Sequence, residues 1–197
     1  TAAIVGGGAG PRPGEATLAH RGVLLLDELP EFQRPALEAL RQPLEDGVVA
    51  IARAAGAALF PARFVLVGTM NLCPCGGRGD PAAECSCSAQ RLASFRDKLS
   101  RALLDRFDLV VTVPRPRATE LAAATGESSE PVRARVVAAR TRPPAPRTAE
   151  ADELLSRAVD RLPLSARGRA RVARVARTIA ALAGADAVAP EHVAEAL

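Results

Sequence analysis

Residues 22–28, Gly22-Val23-Leu24-Leu25-Leu26-Asp27-Glu28, constrain the fold more than any other stretch of the chain. A short unbroken apolar run between a glycine and a polar end suits a central strand of a parallel sheet, buried on both faces. Open α/β sheets place their ligands beyond the carboxyl ends of such strands. Asp27 and Glu28 fall at that end. One carboxylate there can hold a hydrated Mg²⁺, and its neighbour can polarise a water. The competing reading is a buried strand that ends in solvated acids.

Two further stretches narrow the choice. Phe64-Val65-Leu66-Val67-Gly68-Thr69-Met70-Asn71 predicts a second buried strand ending in an amide. Leu103-Leu104-Asp105-Arg106-Phe107-Asp108-Leu109-Val110-Val111 places an arginine just before a third apolar strand. A carboxylate pair, an amide and an arginine in this order suit phosphoryl transfer. The amide positions water or touches a γ-phosphate, and the arginine stabilises the charge that develops. Arg106 paired with Asp105 or Asp108 is the alternative.

On these stretches the chain resembles an AAA+ ATPase of the magnesium-chelatase-like group, of the competence-associated YifB/ComM type. The resemblance also rests on Pro13-Gly14-Glu15, on Ala39-Leu40-Arg41-Gln42-Pro43-Leu44-Glu45-Asp46-Gly47, on Cys73-Pro74-Cys75-Gly76 and on Leu164-Ser165-Ala166-Arg167. The fold it implies is α/β, a partial AAA+ P-loop NTPase core with a parallel sheet over residues 1–114. A small all-α lid follows over residues 115–197. The resemblance makes 22–28 a Walker B element, with Asp27 on Mg²⁺ and Glu28 activating water. It makes Asn71 a sensor of the γ-phosphate, Arg106 a finger acting in trans, and Arg167 a second nucleotide sensor. It implies ATP and Mg²⁺ as cofactors and a homo-oligomer, most simply a hexameric ring. DNA is the expected partner, with branch migration or helicase work as the activity. A chelatase-type ATPase that remodels a partner for Mg²⁺ insertion into a porphyrin is the alternative, and a non-catalytic binding module is a third.

One element of that family is not found in the sequence. No Gly-x-x-x-x-Gly-Lys-Ser/Thr occurs in the 197 residues, and Gly6-Gly7-Gly8 lacks the lysine and hydroxyl. Such a loop supplies backbone N–H groups and a lysine to the phosphates. The expectation is a piece of a longer protein that binds ATP poorly by itself.

The four cysteines cluster at Cys73, Cys75, Cys85 and Cys87. In a reducing compartment this pattern favours a metal over disulfides. Glycines 76, 77 and 79 let the loop fold back so that four thiolates converge on a structural Zn²⁺. A reduced, metal-free loop is the alternative.

Val48–Ile51 and Ala57–Phe60 predict a hairpin across residues 53–56. Arg53 at its turn is a candidate phosphate contact for nucleic acid, or a plain surface arginine. Residues 31–45 read as one helix, 88–100 as another, and 128–140, 150–162, 165–182 and 190–197 as the lid helices. Ser165 is the predicted N-cap of the longest.

Trp and Tyr are absent, so aromatic base-stacking platforms have little material. The net charge of +4 is carried almost wholly by arginine. No stretch is long and apolar enough to cross a membrane, and the expected location is cytoplasmic. His20 and His192 have no nucleophile or metal constellation around them.

Overall fold

The computed structural model describes residues 1–197 apart from positions 9, 54, 55, 81, 117, 123–125 and 163, and without the side chains of Arg53 and Ala118. The first of two units, Thr1–Arg115, opens with α1 (Ala2–Val5) and an antiparallel pair, β1 (Gly6–Gly7) with β2 (Arg12–Pro13). A turn of helix, α2 (Glu15–Leu18), leads into β3 (Val23–Leu26). After β3 come a 3-10 turn (Leu29–Glu31), α3 (Arg34–Glu38) and α4 (Arg41–Asp46). The hairpin β4 (Val48–Arg53) and β5 (Gly56–Pro61) follows, then β6 (Val65–Gly68). Helices α5 (Ala89–Arg96) and α6 (Arg101–Leu104) complete the unit.

β3 and β6 pair in parallel, Val23 opposite Val65 and Leu26 opposite Gly68. Parallel neighbours need a crossover, and here it carries α3, α4 and the β4–β5 hairpin. The expected hairpin forms, with Ala50 opposite Leu59 and Arg53 opposite Gly56.

The sheet corrects one expectation. β3 is not buried on both faces. Leu24 and Leu26 are buried, whereas Val23 and Leu25 are 61% and 60% exposed. The same holds across the ladder, where Val65 is 56% exposed. The α3–α4 side packs on one face only, through Leu37 and Leu40, with Leu99 and Leu103 joining the same core. Nothing among the described residues covers the other face.

The third expected strand is also corrected. Leu109–Val113 forms no ladder, and Val110 is 91% exposed. Among the described residues it pairs with neither open edge of the two-stranded β3–β6 ladder.

The single helix expected over 31–45 is broken. Pro35 stands in the first turn of α3, where its missing N–H costs nothing. Pro43 cannot donate to Ala39, so the ladder lapses there and Leu40 bonds back to Leu37 instead. Leu44 N–H to Leu40 carbonyl, 3.0 Å, restarts it.

The second unit, Pro116–Leu197, is helical: α7 (Ala118–Ala122), α8 (Ser129–Thr141), α9 (Ala149–Arg161), α10 (Ala166–Leu182) and α11 (Pro190–Ala196). The Ser165 hydroxyl accepts from Gly168 N–H at 3.1 Å and caps α10 as expected. Thr148 caps α9 in the same way. Val172, Ala176 and Ala180 face the core, while Leu182 is 52% exposed. Alanines at that spacing let α9 and α11 approach closely, with Leu155, Val188 and Val193 filling the space between.

Candidate active site and cysteine cluster

The carboxyl ends of β3 and β6 lie side by side, and one residue stitches them together. The Thr69 hydroxyl donates to an Asp27 carboxylate oxygen and accepts from Glu28 N–H at 2.9 Å. Its carbonyl accepts from Leu29 N–H, and its own N–H donates to Leu26. Thr69 thus fixes both acidic residues from the neighbouring strand. Sequence alone gives no sign of it, because a threonine after a strand glycine carries no motif of its own.

Glu28 sits at φ 55°, ψ 56°, a left-handed conformation that is strained for a residue with a side chain. The turn throws its carboxylate out of the strand line. Gly68 permits the close packing behind it. A Cβ there would lie 2.5 Å from Leu29 Cδ1, so a larger residue would have to displace the buried Leu29 side chain that packs on the end of β6.

Glu28 and Asn71 line one open cavity of about 530 Å³. Glu31, Cys73, Arg91 and Lys98 also line it. Lys98 reaches Glu31 at 3.4 Å and lies 5.9 Å from the Phe95 ring centre. Asp27, Glu28 and Asn71 are exposed and free to meet a ligand. With one Asp27 oxygen engaged by Thr69, the other remains for a hydrated cation, so the site suits Mg²⁺.

Arg106 follows α6 and is turned inward. Its side chain is 8% exposed, and its Nη2 meets Glu45 at 2.7 Å. Its Nη1 donates to the Ala102 carbonyl. Leu103 and Phe107 on either side pack into the core, which anchors the segment. The partner Glu45 lies far away in sequence, so spacing gave no sign of it.

Arg167 stands exposed in the first turn of α10, in the second unit. Arg53 ends β4 by its backbone, and its side chain lies outside the described residues.

The four cysteine sulfurs converge, all within 4.8 Å of one another. The group can hold a metal ion. Cys73 is fully buried. The Gly77 N–H, with the Cys73 thiol beside it, holds the Cys75 thiol down, to about 5. Removal from water and the neighbouring Cys75 push Cys87 up to about 11. Cys75 takes the negative charge while Cys85 and Cys87 resist it, a conflict that a dication relieves.

Residues 1–121 match the family described as magnesium chelatase, subunit ChlI, and residues 142–197 match its C-terminal family. The chain belongs to this AAA+-type ATPase family. It is 46% identical to an uncharacterized protein of Mycobacterium tuberculosis, over 100% of this chain and 43% of the relative. It is 40% identical to the competence protein ComM of Haemophilus influenzae, over 99% of this chain and 42% of ComM. Uncharacterized protein YifB of Escherichia coli is 39% identical over the same shares, 99% and 42%. The chain therefore spans less than half the length of these relatives. Among the described residues no helix is long and apolar enough to cross a membrane.

Proposed function

We propose that this chain is the hydrolytic part of an ATP-driven AAA+ motor that acts on DNA. The observation that carries the reading is the Asp27–Glu28 pair, clamped by Thr69, with Glu28 opening beside Asn71 onto one cavity. Asp27 holds the hydrated Mg²⁺ of a bound nucleotide. That ion neutralises charge on the phosphates when present. Glu28, pushed out of the strand line, orients a water and takes its proton. Asn71 meets the γ-phosphate side of the same cavity. Arg106 acts on the nucleotide of a neighbouring copy in a ring, and Arg167 is a further nucleotide contact. The phosphate-cradling loop of this chemistry is not within these 197 residues. The reading therefore concerns the full-length protein in a cell's cytoplasm.

DNA is favoured over a protein partner by the match to a relative named a competence protein. The match to a magnesium chelatase subunit keeps partner remodelling as the second reading. The deciding experiment is ATPase activity of the full-length protein with and without single-stranded and branched DNA. Strong stimulation supports the motor, and a rate indifferent to DNA moves the assignment to remodelling. Glu28→Gln should keep ATP binding and abolish hydrolysis. If that variant hydrolyses at the normal rate, the catalytic assignment fails.

A further inference from the structure

We infer that Cys73, Cys75, Cys85 and Cys87 bind one Zn²⁺ ion, and that this ion fixes the loop that presents Asn71 beside Glu28. The metal half stands on the cluster alone. The positioning half rests on the ATPase reading above.

Geometry comes first. Four thiolates at about 2.3 Å from a tetrahedral Zn²⁺ stand about 3.8 Å from one another. Cys73 and Cys75 sulfurs are 3.4 Å apart, and those of Cys75 and Cys85 are 3.8 Å apart. No sulfur is more than 4.8 Å from another. The quartet is already near the shape that the ion demands.

The surrounding backbone is the second argument. Arg78 N–H donates to the Cys73 sulfur at 3.2 Å. A backbone donor on a sulfur is the outer-shell contact that a thiolate ligand needs. The two arms of the loop are pressed together to make this possible. A Cβ on Gly77 would lie 2.8 Å from the Glu84 carbonyl oxygen, so only glycine admits the crossing.

The coupling to the candidate site is through the wall of the cavity. Cys73 and Pro74 line the same cavity as Glu28 and Asn71. Asn71 is two residues from the fully buried Cys73. Among the described residues of 69–88 there is no strand or helix, so this loop has no ladder of its own to hold it. An ion joining its two ends supplies that constraint.

The test uses the full-length protein purified without chelators. Elemental analysis should give one zinc per chain, and Co²⁺ exchange should give the absorption of a tetrahedral thiolate site. Stripping with a chelator should speed tryptic cleavage after the exposed Arg78 by about tenfold, and Zn²⁺ should restore protection. Gly77→Ala and Cys87→Ser should each lose the metal. In a Glu28→Gln background, stripping should weaken ATP binding by about tenfold while leaving ADP unchanged. Metal-free protein with four titratable thiols, or iron in the site, overturns the zinc assignment. Retained zinc with ATP affinity blind to its removal overturns the positioning role. Retained zinc in a protein that binds neither nucleotide defeats the ATPase reading, and with it the positioning role, while the metal site stands.

Discussion

Thr69 decides how the two acids are held, and it does so through single atoms. Its hydroxyl touches Asp27 and Glu28 together, and its carbonyl holds Leu29 just beyond them. The strained Glu28 backbone would relax without that grip, because a left-handed non-glycine residue costs about 1–3 kcal/mol. Thr69→Val keeps the shape and removes the hydroxyl. It should cut ATP hydrolysis in the full-length protein by about 10–100-fold, the worth of one hydrogen bond to a charged group. Thr69→Ser should restore most of it. Equal losses in both variants, or none in valine, would show that the hydroxyl is not the determinant.

Among the elements, the ties between α3 and α6 are open to pH. The Ser100 hydroxyl, then the Arg41 guanidinium, hold the Glu38 carboxyl below its ordinary 4.5. Ser100 also caps α6, accepting from Leu103 N–H at 3.1 Å. A carboxyl lowered in the folded state contributes stability above its unfolded value. That stability is lost as pH falls from about 4.5 through the lower folded value. Glu38→Gln should flatten the acid limb of the stability curve and leave neutral stability little changed, read by denaturant titration at each pH. In the second unit, Leu155 is fully buried among α10 and α11 side chains. Leu155→Ala should cost about 3 kcal/mol, seen as a lower denaturant midpoint at unchanged slope.

These elements also show how far the sequence could be read. The β3 run, the β4–β5 hairpin and the Ser165 cap were legible, since each depends on neighbours within a few residues. The family was legible from its motifs. The open face of β3 was not, because burial depends on what packs across it, and four apolar residues look alike with one cover or two. Thr69 over Asp27 was hidden for a related reason, since the contact spans two strands that only the parallel register brings together. The break at Ala39–Leu40 was foreshadowed by Pro43, yet a stripe of leucines ran through it and favoured one helix.

At the scale of the whole molecule the question is whom Arg106 serves. Within this chain it is buried against Glu45 and the Ala102 carbonyl. A finger reaching a neighbour's nucleotide has to leave Glu45, so the pair would hold the arginine until a ring forms. An in-trans arginine is worth about 10³–10⁵ in rate, and Arg106→Ala in the full-length protein should abolish hydrolysis on that scale. Mixing it with Glu28→Gln separates the two explanations. In a randomly mixed ring about a quarter of the interfaces join an intact Glu28 to an intact Arg106, so the mixture should regain about a quarter of the normal rate. A mixture as dead as its parts would place Arg106 in the structure of its own subunit. The control is Arg106→Ala with Glu45→Gln, which removes both charges of the pair. If only the lost pairing matters, this double variant recovers activity alone. If the arginine works across the interface, it stays inactive alone and is still rescued in the mixture.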